Sequence, residues 1–144
     1  MSGSTLETVA ADILVPGAPV SAAALVLSAP ISFWGGVDPK TALIADVRHP
    51  EHGRSIEGFV LCLPGTIGSS SAAAVLLELV YGQRAPAALI LHEPDAILLL
   101  GLIVAREMGW PTPMALRLDR RHFDGFREQR PDVSVEGQVR LARR

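Results

Sequence analysis

The strongest constraint on the fold lies between Gly58 and Leu118, where apolar segments of strand length and of helix length alternate. Gly58–Leu63 is strand-like. It runs into Leu63-Pro64-Gly65-Thr66-Ile67-Gly68-Ser69-Ser70-Ser71-Ala72-Ala73-Ala74, in which a strand ends, a glycine-bearing loop turns and a serine run opens a helix. Serine at a helix start accepts hydrogen bonds from unpaired backbone N–H groups, and alanine favours the turns that follow. Ala73, Leu76, Leu77 and Val80 recur at helical spacing and predict one buried face, with Gly82 as a natural stop. The pattern then repeats. Ala87–Leu91 reads as a strand, and Pro94 suits the first turn of a helix over Ala96–Ala105 that is apolar almost all round and hence expected to be buried. Pro111 and Pro113 end that unit before a last core strand at Met114–Leu118. Strands are also expected at Ala11–Val15, Ala22–Leu27 and Thr41–Asp46, so the order of elements predicts a mixed β and α/β domain over 10–118.

The flanks carry less pattern. Residues 1–9 are small and polar and are expected to fray, and 119–144 reads as a basic C-terminal extension. Within it, Val133-Ser134-Val135 and Gln138–Leu141 alternate around Glu136-Gly137 as a small hairpin. From Arg117 to Arg144 there are eight arginines against five acids, while the preceding chain has five basic residues against ten acids. That imbalance fits a solvated surface or a partner-facing end. The net charge of −2 gives no global reason to expect nucleic-acid or acidic-membrane binding. The longest apolar run, Ala96 to Ala105, falls well short of the roughly 20 residues that span a bilayer as a helix. Cys62 is the only cysteine, which excludes an intrachain disulfide and a thiolate cluster supplied by this chain, and favours a cytoplasmic location. Its place in Phe59-Val60-Leu61-Cys62-Leu63 predicts a buried core thiol.

Chemistry concentrates in two segments. Ser69 stands at a strand-to-helix turn, where free N–H groups and the helix dipole favour negative charge; a simple helix cap is the competing reading. No lysine follows Gly68 as a phosphate-binding Walker loop requires, and Gly-x-Ser-x-Gly is absent. The other segment, Ala29-Pro30-Ile31-Ser32-Phe33-Trp34-Gly35-Gly36-Val37-Asp38-Pro39, suits a structured loop whose glycines allow close backbone approach. Phe33 and Trp34 fit a binding platform or loop anchors. His49 and His52, with Asp46 and Glu51 nearby, read as a solvated turn rather than a metal site, because no third ligand is well placed.

These segments resemble a family. Ile31 to Pro39, Asp46 with His49-Pro50, Gly68-Ser69-Ser70, Ala85-Pro86-Ala87-Ala88 and Ile97 to Ala105 recur in that order in the aconitase X small subunit, also called the phosphomevalonate dehydratase small subunit-like domain. The resemblance covers roughly residues 15–115 and implies a swivelling β/β/α domain like the mobile domain of aconitase. It implies a hydro-lyase subunit, active only with a large subunit that carries the iron–sulfur cluster, so that this chain alone binds no cofactor. By motif position Ser69 is the serine that abstracts the substrate proton. Gly68, Ser70, Gly35, Gly36 and Asp38 are the candidate substrate-binding residues, and the Phe33–Asp38 loop is expected close to Ser69.

The chain departs from the family pattern at three places. Ile67 replaces an arginine common before Gly-Ser, Ala42 replaces a glycine common after the Asp-Pro-x-Thr run, and Ser71-Ala72-Ala73-Ala74 replaces a further Gly-Ser. Loss of the arginine removes an anion-binding charge, which disfavours a phosphorylated substrate. An arginine-rich composition with one lysine, Lys40, gives a bacterial impression. The small hydroxy acid implied is therefore cis-3-hydroxy-L-proline, with (R)-5-phosphomevalonate and a non-catalytic binding or regulatory module as alternatives.

Overall fold

A computed structural model describes residues 6–142. Among the described residues nine strands form two sheets: β1 (Leu6–Ala10), β2 (Asp12–Val15), β3 (Val20–Ser21), β4 (Ala24–Val26), β5 (Val60–Leu63), β6 (Ala88–Leu91), β7 (Met114–Arg117), β8 (Asp132–Val133) and β9 (Gln138–Ala142). The five-stranded sheet has the order β2-β7-β6-β5-β4. Its strands β4 to β7 are parallel, and β2 is added antiparallel at the edge. The four-stranded sheet, β1-β9-β8-β3, is antiparallel throughout.

Period-two alternation explains how the layers stack. Along β5, Leu61 and Leu63 enter one core while Val60 and Cys62 enter a second; along β6, Leu89 and Leu91 divide from Ala88 and Ile90 in the same way. The first core is shared with helices α2 (Ala72–Tyr81) and α3 (Ala96–Glu107), and the second with Val133, Val139 and Leu141 of the antiparallel sheet. The result is a β/β/α sandwich with the mixed sheet in the middle, buried on both faces as a parallel sheet requires.

The helices pack closely. A Cβ on Gly101 would meet the Ala73 carbonyl oxygen at 2.5 Å, so only glycine permits this approach of α3 to α2. Asp95 caps α3 by accepting hydrogen bonds from the Ile97 and Leu98 N–H groups. At the end of α2 the left-handed conformation falls on Gln83 (φ 60°), one residue beyond the expected Gly82. The buried face of α2 is Ala72, Val75, Leu76, Leu79 and Val80; Ala73 and Leu77 are only half-buried.

Four expectations are corrected. Residues 6–9, expected to fray, belong to β1, which pairs with β9 from Leu6 opposite Ala142 to Ala10 opposite Gln138. Its side chains are mostly exposed, so it is held by ladder hydrogen bonds rather than by a readable apolar pattern; residues 1–5 lie outside the described residues. Thr41–Asp46 is not a strand and makes only the isolated bridges Val37–Ile44 and Leu43–Ser55, because Ala42 adopts φ 63° and breaks the extended run. α3 is not buried all round: Ile97, Leu100, Ile103 and Val104 are between 42 and 50% exposed. Finally, the packing does not stop at Leu118. A 3-10 helix at Arg120–Phe126 buries Phe123 and Phe126 edge-to-face in the second core, and β8 and β9 complete the antiparallel sheet, forming the expected hairpin.

Candidate functional site

The carboxyl ends of parallel strands are where loops and helix starts converge, and open α/β sheets bind ligands there. Here the chain leaves β5 through Pro64-Gly65-Thr66, leaves β6 through His92-Glu93, and leaves β7 toward Arg120. These exits enclose an open cleft of about 700 Å3 whose walls also include Gly68 and Ile97.

Ser69 is half-buried beside this cleft, two residues before Ser71, the residue that precedes α2. Its Oγ accepts a hydrogen bond from the Ser71 N–H at 3.2 Å, and its carbonyl accepts from the Ala72 N–H at 3.1 Å. Ser71, at the cap position itself, makes no side-chain cap. Among the described residues the N–H groups of Gly68, Ser69 and Ser70 have no acceptor, so three consecutive donors stand ready at the helix start. A donor aimed at Oγ favours the charged form of the hydroxyl. A hydrogen bond to a charged group is worth about 1.5–3 kcal/mol and the helix end about 0.3–1 kcal/mol, against 1.36 kcal/mol per pKa unit. This lowers the cost of an alkoxide without creating one.

The aromatic-glycine loop is anchored on the same edge. Ile31 pairs with Thr66 in a parallel bridge, its carbonyl accepts from the Ile67 N–H at 3.0 Å, and α1 (Phe33–Gly36), a single irregular turn, packs against α2. Phe33 is buried as an anchor, whereas Trp34 is 61% exposed, so the two aromatics divide the two roles. Gly35 adopts φ 80° in the open, and Gly36 is buried against the Ile31 side chain. The Asp38 carboxylate accepts from the Lys40 N–H at 2.9 Å, and its carbonyl accepts from the Ala42 N–H at 2.7 Å. Asp38 thus organises its own turn. Gly68 lines the cleft and Ser70 is exposed beside it; Gly35, Gly36 and Asp38 are not among the cleft walls.

His49 departs from the solvated turn expected for it. It is 6% exposed; Nε2 donates to the Ala29 carbonyl at 3.0 Å and Nδ1 accepts from the Glu51 N–H. Glu51 in turn accepts from the Ser28 backbone and hydroxyl, both at 2.8 Å. The motif therefore ties its turn to the end of β4, while His52 remains exposed. Cys62 does not fit a cluster ligand: its sulfur is sealed in the second core and burial pushes the thiol far up from its ordinary range.

Sequence reasoning missed the opposite wall. His92 Nδ1 accepts from the Arg120 N–H at 3.0 Å, the His92 carbonyl accepts from Arg117 Nε at 3.1 Å, and Thr66 donates its hydroxyl to Asp95 at 2.6 Å. Asp119, next to Arg120, is held below the usual carboxylate range, first by the Arg121 N–H and then by the charges of Arg121, His92 and Arg117. The available signal was positional, since His92 and Arg120 each follow the end of a predicted strand.

Comparison with known proteins agrees with this architecture. The sequence profile of the aconitase X swivel domain matches residues 8–141. A cis-3-hydroxy-L-proline dehydratase of Pseudomonas aeruginosa is 50% identical over 110 residues, which are 73% of this chain but 19% of that protein. The chain thus spans about a fifth of that relative. The phosphomevalonate dehydratase small subunit of Methanothermobacter thermautotrophicus is 44% identical over 122 residues, covering 81% of this chain and 87% of that one. The crystal structure of Thermococcus kodakaraensis aconitase X in its holo-form superposes with a TM-score of 0.80 at 25% identity, over 94% of this chain and 98% of that chain. With the β/β/α sandwich, the serine turn and the match along nearly its whole length, this chain belongs to the aconitase X swivel domain family.

Proposed function

We propose that the chain is the small subunit of an aconitase X-type hydro-lyase and that Ser69 is its proton-abstracting base. The observation that carries this reading is the half-buried Ser69 hydroxyl, which receives the Ser71 N–H in a turn with three free backbone donors, next to Gly68 in the wall of an open cleft. The substrate is cis-3-hydroxy-L-proline, the substrate in the name of the 50% identical relative. In the reaction the ionised Ser69 oxygen takes the proton from the carbon bearing the carboxylate and becomes a hydroxyl. The electron pair of the broken C–H bond forms the carbon–carbon double bond, and the C–O bond of the adjacent carbon breaks. The departing hydroxide takes up one proton to become water, for which the proton held by Ser69 suffices and restores the alkoxide. A large subunit supplies the remaining groups and the iron–sulfur cluster. Closing the open cleft against that partner excludes water, which strengthens every donor around the serine.

The partner surface follows from continuity. Ile97 lines the cleft and also begins the exposed stripe Ile97, Leu100, Val104 on α3, so a large subunit that closes the cleft covers this helix face. The test is reconstitution with the large subunit and assay with cis-3-hydroxy-L-proline and with (R)-5-phosphomevalonate. Turnover of the first, its loss in Ser69→Ala and intact assembly of that variant are expected. Full turnover in Ser69→Ala, or turnover by the chain alone, overturns the reading.

A further inference from the structure

The swivel family often places an arginine before its Gly-Ser pair, and here that position is Ile67, 58% exposed and uncharged. The cleft nevertheless contains a cation. Arg120 lines it together with Gly68, at the first turn of the 3-10 helix that follows β7. Its backbone is pinned, because the Arg120 N–H donates to His92 Nδ1 at 3.0 Å at the end of the neighbouring strand. Its guanidinium has no hydrogen bond or ion pair among the described residues. None of the nearby acids pairs with it. Asp95 accepts from Thr66, Ile97 and Leu98, Asp119 accepts from the Arg121 N–H, and Glu93, which lines the same cleft, lies 3.7 Å from His92 Nε2 instead. Arg117 and Arg127 differ, the one bonded to the His92 carbonyl and the other paired with Asp124.

From this we infer that Arg120, held in place by His92, binds the carboxylate of the substrate in the cleft beside Ser69 and supplies the positive charge that residue 67 lacks. The inference rests on the hydro-lyase reading above and names the ligand group that the same site takes. A guanidinium presents paired donors that match the two oxygens of a carboxylate, so it fixes the carbon next to that group. When the serine removes the proton from that carbon, negative charge spreads onto the carboxylate. A cation already bound there stabilises the transition state more than the ground state. His92 is a positioning residue. Its Nδ1 accepts from the Arg120 N–H, so in the neutral ring the proton sits on Nε2, which faces the Glu93 carboxylate at 3.7 Å.

The experiment uses the complex with the large subunit and reads binding separately from turnover. Two planar probes of the same size, pyrrole-2-carboxylate and pyrrole-2-carboxamide, are titrated against wild type, Arg120→Gln, Arg120→Lys and the double variant Arg120→Gln/Ile67→Arg. The wild-type complex is expected to prefer the carboxylate by about 10- to 100-fold, the worth of a charge-assisted hydrogen bond. Arg120→Gln should erase that preference and raise KM for cis-3-hydroxy-L-proline, Arg120→Lys should keep part of it, and Ile67→Arg in the double variant should restore part of it. An undiminished preference in Arg120→Gln overturns the inference, as does a wild-type complex that binds both probes equally. Ser69→Ala separates the two proposals: it should lose turnover and keep the probe preference, so turnover in Ser69→Ala defeats the serine mechanism alone.

Discussion

The hydrogen bond from the Ser71 N–H to Ser69 Oγ closes a side-chain turn just ahead of α2 and is also the polarisation that the proposed serine base needs. The turn's contribution to stability is small. Ser69→Ala is expected to cost the isolated chain about 1 kcal/mol in chemical denaturation, too little to unfold it, while removing turnover in the complex. Gln83 shows the opposite balance. It is exposed and holds φ 60°, where a side chain is strained and glycine is not. Gln83→Gly should stabilise the chain by about 0.5 kcal/mol, read as a small rise in Tm. Cys62 reports on unfolding. Burial raises its thiol pKa, so the native chain should not react with a thiol-specific disulfide reagent at neutral pH, and the reaction rate should follow opening. The sign of the linkage follows. Above about pH 8.5 the unfolded chain releases this proton and the native chain does not, so stability should fall as pH rises through that range.

At the scale of elements, α2 and α3 share one core and come close enough at Gly101 to demand glycine. Gly101→Ala gains about 1 kcal/mol of helix propensity, yet its methyl would lie 2.5 Å from the Ala73 carbonyl oxygen, a rigid neighbour. The expected net result is destabilisation of about 1–3 kcal/mol by denaturant titration. On the outer face, Leu100→Glu should change the stability of the isolated chain by no more than about 0.5 kcal/mol while weakening assembly with the large subunit, measured by sedimentation. These elements also show what a sequence makes legible. The β5–α2 and β6–α3 units were readable because strand runs, a proline or serine start and helical spacing all agree. The face of α3 was not, since Leu98 and Leu100 look alike until a neighbour covers one of them. Thr41–Asp46 has a strand's composition, and only the left-handed turn at Ala42 denies it the geometry. The serine turn was visible because the donors and Oγ are local in sequence, whereas the His92–Arg120 wall joins residues 28 apart.

For the whole molecule, the second core ties together the start, middle and end of the chain. Val9 packs against it from β1, Cys62 and Ile90 enter from the central sheet, and Val139 and Leu141 enter from β9. Removing residues 119–144 strips that core of five large apolar side chains, Phe123, Phe126, Val133, Val139 and Leu141, and leaves one face of the central sheet bare. Such a truncation should lose its cooperative thermal transition in calorimetry rather than yield a smaller stable domain.

The pairing of β1 with β9 has a geometric consequence. Leu6 stands opposite Ala142, so the chain enters and leaves the sandwich at neighbouring points, about 5 Å apart across a ladder. A body fused directly at Leu6 or at Ala142 would start from the same corner of the sandwich. A short linker could also join Leu6 to Ala142 and new ends be opened in the exposed turn at His52-Gly53. A circularly permuted chain of that kind keeps every strand pairing and carries its attachment point to the turn beside the polar staple at His49 and Glu51.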